Sequence, residues 1–98
     1  MISVTQRAAS VLAEALRAGE AGQEVGFRLV PARPGEILLA IDGPREGDRV
    51  VRHEERTVLL LDEWAVRELA GAVLDAEISG DGASLTLTGG RRPSARWN

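Results

Sequence analysis

The chain of 98 residues contains no cysteine, no tyrosine and no lysine, and it carries a single histidine. Without thiols it cannot form a disulfide scaffold, present a thiol nucleophile, or build a thiolate zinc site or an all-thiolate iron–sulfur site. With tyrosine gone and one imidazole left, the usual residues of covalent and general-base catalysis are nearly exhausted. No enzymatic activity is expected, and no cofactor. No apolar run is long enough to span a bilayer, and the N-terminus lacks a basic-then-apolar signal pattern. The expected protein is therefore soluble and cytoplasmic, without a membrane partner.

What is present points to one folded domain. A chain this short cannot bury two separate cores, and its 44% apolar content is too high for a disordered segment. The net charge of −3 argues against nucleic acid as a partner, because such binders concentrate basic charge to displace counterions. All twelve basic residues are arginine. A guanidinium pairs bidentately with carboxylate or phosphate, yet the joint abundance of Arg, Ala and Gly is more simply the mark of a GC-rich genome.

Periodicity organises the chain. Thr5 is placed to cap a helix whose apolar positions Ala8, Val11, Leu12, Ala15 and Leu16 share one face, with Gly19 as its stop. From Val25 the period changes to two. Val25, Phe27 and Leu29 alternate with Gly26 and Arg28, and "EILLAID" at 36–42 is apolar at successive positions, which reads as a strand covered on both faces. Turn formers fill 42–48, a short strand follows through 49–53, and "TVLLL" at 57–61 reads as buried. Asp62 begins a short helix ended by Gly71, and Gly80-Asp81-Gly82 marks a hairpin. Residues 91–98 have no periodicity and read as a flexible tail after a domain spanning 1–90. Short turns favour antiparallel neighbours. The fold class is α+β, mainly β: an N-terminal helix, antiparallel strands, a short second helix and a C-terminal hairpin.

That order, with the residues themselves, resembles the HesB-like domain of A-type iron–sulfur cluster carriers. "ISVTQRAASVLAEAL" resembles the family's opening, a short strand ending in Thr and an Ala-rich helix. "FRLVP" resembles the strand leading to its cysteine loop, "GDRVVRHEERTVLLLDEWAVREL" its central segment, and "VLDAEISGDGASLTL" its final hairpin. The resemblance implies a cluster held by three cysteines, one in the loop after the first long strand and two in a C-terminal Cys-Gly-Cys. None carries over. The first position falls at about Glu36, in a loop several residues shorter than the family's, and "GGRRPSARW" occupies the region of the pair. The resemblance thus implies a cysteine-free member that carries no cluster by the known chemistry.

Other constellations read as bland. His53 with Glu54 and Glu55 offers hard N/O ligands, but neighbours on a strand point to opposite faces. The same two glutamates, consecutive in a turn, read as solvated charges rather than an acid–base pair. The stretch around Asp42, Gly43 and Gly47 lacks both EF-hand spacing and the P-loop Gly-Lys-Ser/Thr. Arg33, Arg45, Arg49, Arg91 and Arg92 are candidates to gather at one end and hold an anion or acidic partner. Trp97, a large aromatic near the end, is a candidate partner contact. The expected function is a non-enzymatic protein-interaction or accessory module linked to iron–sulfur assembly, with a protein partner or a second copy of itself. Its candidate residues are Arg33, Glu36, Arg91, Arg92 and Trp97. The alternative is a small-molecule or anion-binding domain using arginines near the 31–36 loop.

Overall fold

The computed structural model describes residues 1–91 and 94–97. Thr5 opens the first helix, α1 (Gln6–Ala18), and its hydroxyl accepts the Ala8 N–H at 3.0 Å, satisfying one of the donors a helix start leaves unpaired. Ala8, Ala9, Leu12, Ala13 and Leu16 bury one face. Gly19 closes the helix by donating to the Ala15 carbonyl at 3.1 Å, while Glu20 takes the left-handed turn at φ 57.

Around α1 the described residues form two four-stranded sheets. The strands are β1 (Ser3–Val4), β2 (Gly26–Pro31), β3 (Ile37–Asp42), β4 (Arg49–His53), β5 (Arg56–Leu61), β6 (Ala72–Ser79), β7 (Gly82–Gly89) and β8 (Ala95–Trp97), with a short helix α2 (Glu63–Glu68) between β5 and β6. One sheet has the order β1-β6-β7-β8 and the other β3-β2-β5-β4. The helix α1 packs on β5 of one and β6 of the other. Leu12 and Leu16 meet Leu29, Leu59, Leu61 and Leu74 in a single core. Every residue of β5 is buried, so the continuous apolar run 57–61 marks the strand covered on both faces. Each such leucine contributes about 1.5–3 kcal/mol on leaving water.

Three expectations are corrected. Pairing is not wholly antiparallel: β1 runs parallel to β6, and β2 parallel to β5. The β2–β3 and β4–β5 hairpins do form, but they join through β2 and β5, whose shared direction short-turn reasoning cannot supply. The second correction concerns β3, an edge strand rather than a doubly covered one, with Leu38, Ala40 and Ile41 exposed. The third concerns the tail. Residues Ala95–Trp97 form a strand on β7, with Leu85 opposite Trp97 and Leu87 opposite Ala95. Three residues are too few to show a period, and what orders them is the open edge of β7. The sequence position Arg92 lies outside the described residues.

Candidate functional site

The turn between β2 and β3 is closed by its own backbone. Ala32 N–H donates to the Glu36 carbonyl at 3.1 Å and Glu36 N–H to the Arg33 carbonyl at 2.8 Å, with Gly35 at φ 83, a conformation glycine adopts without a Cβ penalty. The Arg33 and Glu36 side chains lie 3.7 Å apart. The C-terminal segment reaches this turn through Trp97, whose indole N–H donates to the Ile37 carbonyl at 2.9 Å. Residues Gly89 and Gly90 lie elsewhere, against Ala70, Gly71 and Ala72. A Cβ at Gly90, which sits at φ 71, would stand 3.0 Å from the Ala70 carbonyl oxygen and 3.2 Å from Ala72 N. Arg91 is exposed beyond it.

These residues do not fit an iron–sulfur cluster. One carboxylate engaged by Arg33, an indole committed to a carbonyl and a glycine pair pressed against backbone supply no soft ligand. Among the described residues no group of three His, Cys, Asp or Glu side chains is placed to hold a metal. His53 Nε2 and Glu54 Oε1 stand 3.7 Å apart, and Glu54 and Glu55 occupy left-handed turn positions at φ 49 and 67. Of the arginines weighed as an anion site, Arg45 pairs with Asp42 at 2.8 Å, and Arg49 reaches the Met1 sulfur at 3.3 Å.

The principal charged cluster is one the sequence hides. Arg28, on β2, is only 4% exposed. Its Nε donates to Asp42 Oδ2 at 2.8 Å, and Nη1 and Nη2 donate to the two Asp48 oxygens at 2.9 and 2.7 Å. Nη2 also reaches the Gly43 carbonyl at 3.1 Å. The acids are shared with backbone: Gly43 N–H donates to Asp42 at 2.8 Å and Arg45 N–H to Asp48 at 2.6 Å. The Arg28 hydrogen bonds hold both carboxyls below the usual carboxylate range, and Asp48 above all raises Arg28. A guanidinium matched this fully binds no ligand; it fixes the 42–48 loop to β2. The Asp42 and Asp48 carboxylates and the Gly43 carbonyl turn inward to Arg28, while Pro44 to Gly47 stay exposed.

A second feature is a groove of about 650 Å³ at the seam of the two sheets. Val11, Ala15 and Ala18 of α1 form one wall, Phe27, Leu38 and Leu39 another, and Leu85 and Trp97 close it. Glu14, paired with Arg17 at 3.0 Å, is the charged residue on its rim. The sequence carries one sign of it, apolar residues at both parities of β3, which read as double coverage.

The chain has the fold of solved A-type carriers. It superposes on IscA with its [2Fe-2S] cluster at TM-score 0.60 and 17% identity, over 91% of this chain and 85% of that one. Escherichia coli SufA, involved in the biosynthesis of iron–sulfur clusters, matches at TM-score 0.65 and 19% identity, over 90% and 84%. A solution structure of an Aquifex aeolicus protein matches at TM-score 0.58 and 22% identity, over 94% and 91%. No family model and no curated protein matches the chain by sequence.

Proposed function

We propose that this is a non-enzymatic domain that keeps the scaffold of the A-type carriers, has given up cluster binding, and works through protein contacts in or beside iron–sulfur cluster assembly. The observation that carries this reading is a carrier fold retained over about nine-tenths of the chain in a sequence without a thiolate. Where the resemblance places cysteines, Glu36 is held by Arg33 and the glycine pair is packed on Ala70–Ala72. The fold similarity to IscA and SufA is what supports the link to assembly.

The test is anaerobic reconstitution with iron and sulfide, beside a cysteine-bearing carrier as positive control. The expected outcome is no cluster absorbance and no stoichiometric iron on this chain while the control loads. Cluster formation here would overturn the loss of the site. A companion titration of this protein against the cluster-loaded control, followed by sedimentation, reads the assembly link directly: a complex supports it, and separate species at about 1 mM, a concentration where a millimolar Kd registers, count against it.

A further inference from the structure

The groove at the seam of the two sheets is walled on three sides, by α1, by the β2–β3 pair and by the β7–β8 pair. Its volume of about 650 Å³ falls within the range of roughly 300–1,000 Å³ that small-molecule sites occupy. On α1 the positions Val11, Ala15 and Ala18 share the face that borders it. Leu12 and Leu16 turn into the core, whereas Ala15 and Ala18 are exposed and leave the space beside them open.

The lining decides which ligand fits. Phe27, Leu39, Leu85 and Trp97 offer apolar surface, and among the described residues no arginine, amide or hydroxyl side chain lines the groove. The side-chain N–H that Trp97 brings is already taken by the Ile37 carbonyl. The groove therefore presents no side-chain donor to an anion. Its one charged lining residue is Glu14. Arg17 engages only Oε2 of that carboxylate, at 3.0 Å, in an exposed pair three residues apart. Oε1 has no partner among the described residues. An exposed pair of this kind is weak and leaves the carboxylate open to a second cation. An apolar slot with an acceptor at its rim is complementary to an apolar chain ending in an ammonium, which supplies three donors and a positive charge. It opposes the carboxylate of a fatty acid.

We propose that this groove binds a linear apolar amine, with the chain among Val11, Ala15, Phe27, Leu39, Leu85 and Trp97 and the ammonium at Glu14. The site differs in place and in sign from the arginines near the 31–36 turn. It goes beyond the reading of the chain as an interaction domain and does not depend on it.

The probe is decylammonium, with 1-decanol and decanoate as its neutral and anionic counterparts, each kept below the concentration at which it aggregates. Calorimetry on the wild type gives the three affinities. Decylammonium should bind about two- to fivefold more tightly than decanol, the gain of one exposed ion pair, and decanoate should bind most weakly. Shortening the amine by one methylene should weaken it by up to about fourfold. Glu14→Gln should erase the advantage of the amine over decanol while keeping the affinity of the chain. Glu46→Gln, the same loss of charge on the exposed 42–48 loop, should preserve that advantage. Ala15→Phe, which fills the groove from an exposed helix position, should abolish binding of all three probes without lowering the melting temperature.

A second readout locates the ligand. The chain has two tryptophans, so Trp64→Phe leaves Trp97 as the reporter. Decylammonium should move its emission to shorter wavelength. Equal affinity for the three probes, an amine preference that survives Glu14→Gln, or binding indifferent to Ale15→Phe would each overturn the proposal. A Trp97 emission that shifts on adding protein alone, more of this chain or the cysteine-bearing carrier, would assign the groove to a protein contact and overturn it as well. None of these outcomes alters the loss of cluster binding, which reconstitution decides.

Discussion

Arg28 shows how a single residue changes meaning between sequence and structure. In the alternation of 25–29 it occupies an ordinary polar position, and nothing local pairs it with acids 14 and 20 residues away. Folding places it under the 42–48 loop, where Asp48 is left only 3% exposed at its side chain. Breaking such a pair strands a buried charge, at a cost of about 3–5 kcal/mol. For a domain whose whole stability is about 5–15 kcal/mol, Arg28→Ala should shift the urea midpoint steeply downward. Arg33→Ala, removing an exposed partner of Glu36, should lower the unfolding free energy by less than about 1 kcal/mol. Equal effects from the two variants would show that the Arg28 cluster is not the anchor of the loop.

At the scale of elements, Asp75 joins α1 to β6. It accepts the Thr5 hydroxyl at 2.7 Å, the Ala76 N–H at 2.8 Å and Arg7 at 3.2 Å, while Thr5 N–H donates to the Leu74 carbonyl at 3.0 Å. The Thr5 hydrogen bond first, then the Ala76 N–H and Arg7, draw the Asp75 carboxyl down from 3.8 to about 2. Between those values the unfolded chain binds the extra proton, so stability rises with pH through that window. The contribution is complete above about pH 4 and is lost as pH falls toward 2. Thermal melts of Asp75→Asn should therefore show a flatter acid limb than the wild type between pH 4 and 2. An unchanged slope would mean the carboxylate contributes nothing specific. Thr5→Ala removes the helix cap and the hydroxyl that Asp75 accepts together, and should cost about 0.5–2 kcal/mol at neutral pH.

For the whole molecule, the decisive contact is the one between sheets made by Trp97. Strand β8 belongs to the β1-β6-β7-β8 sheet, and its indole donates to Ile37 of the other. Trp97 thus closes the groove and ties its mouth. Trp97→Phe, keeping the bulk and losing the N–H, should cost about 0.5–1.5 kcal/mol in urea denaturation. Trp97→Ala should cost more and increase binding of a dye that reports exposed apolar surface. If both variants match the wild type, the C-terminal strand is dispensable to the fold. The carrier-like scaffold would then need only residues up to the end of β7.

The sequence by itself determined the elements, and for local reasons. Capping by Thr5 and Asp62, the period of α1, the run of β5 and the Gly80-Asp81-Gly82 turn are decided within a few residues, and each lies where its chemistry puts it. The absence of cysteine by itself removes thiolate ligation of a cluster. Only tertiary structure decided what β3 faces, where Arg28 finds its acids, and that Ala95–Trp97 has an edge to join. An apolar strand reads the same whether a second layer covers it or a groove lies open beside it. A carboxylate in a turn reads the same whether it meets water or a guanidinium brought from a distant strand. Those differences depend on which segments become neighbours, and the parallel joining of β2 to β5 set that for this chain.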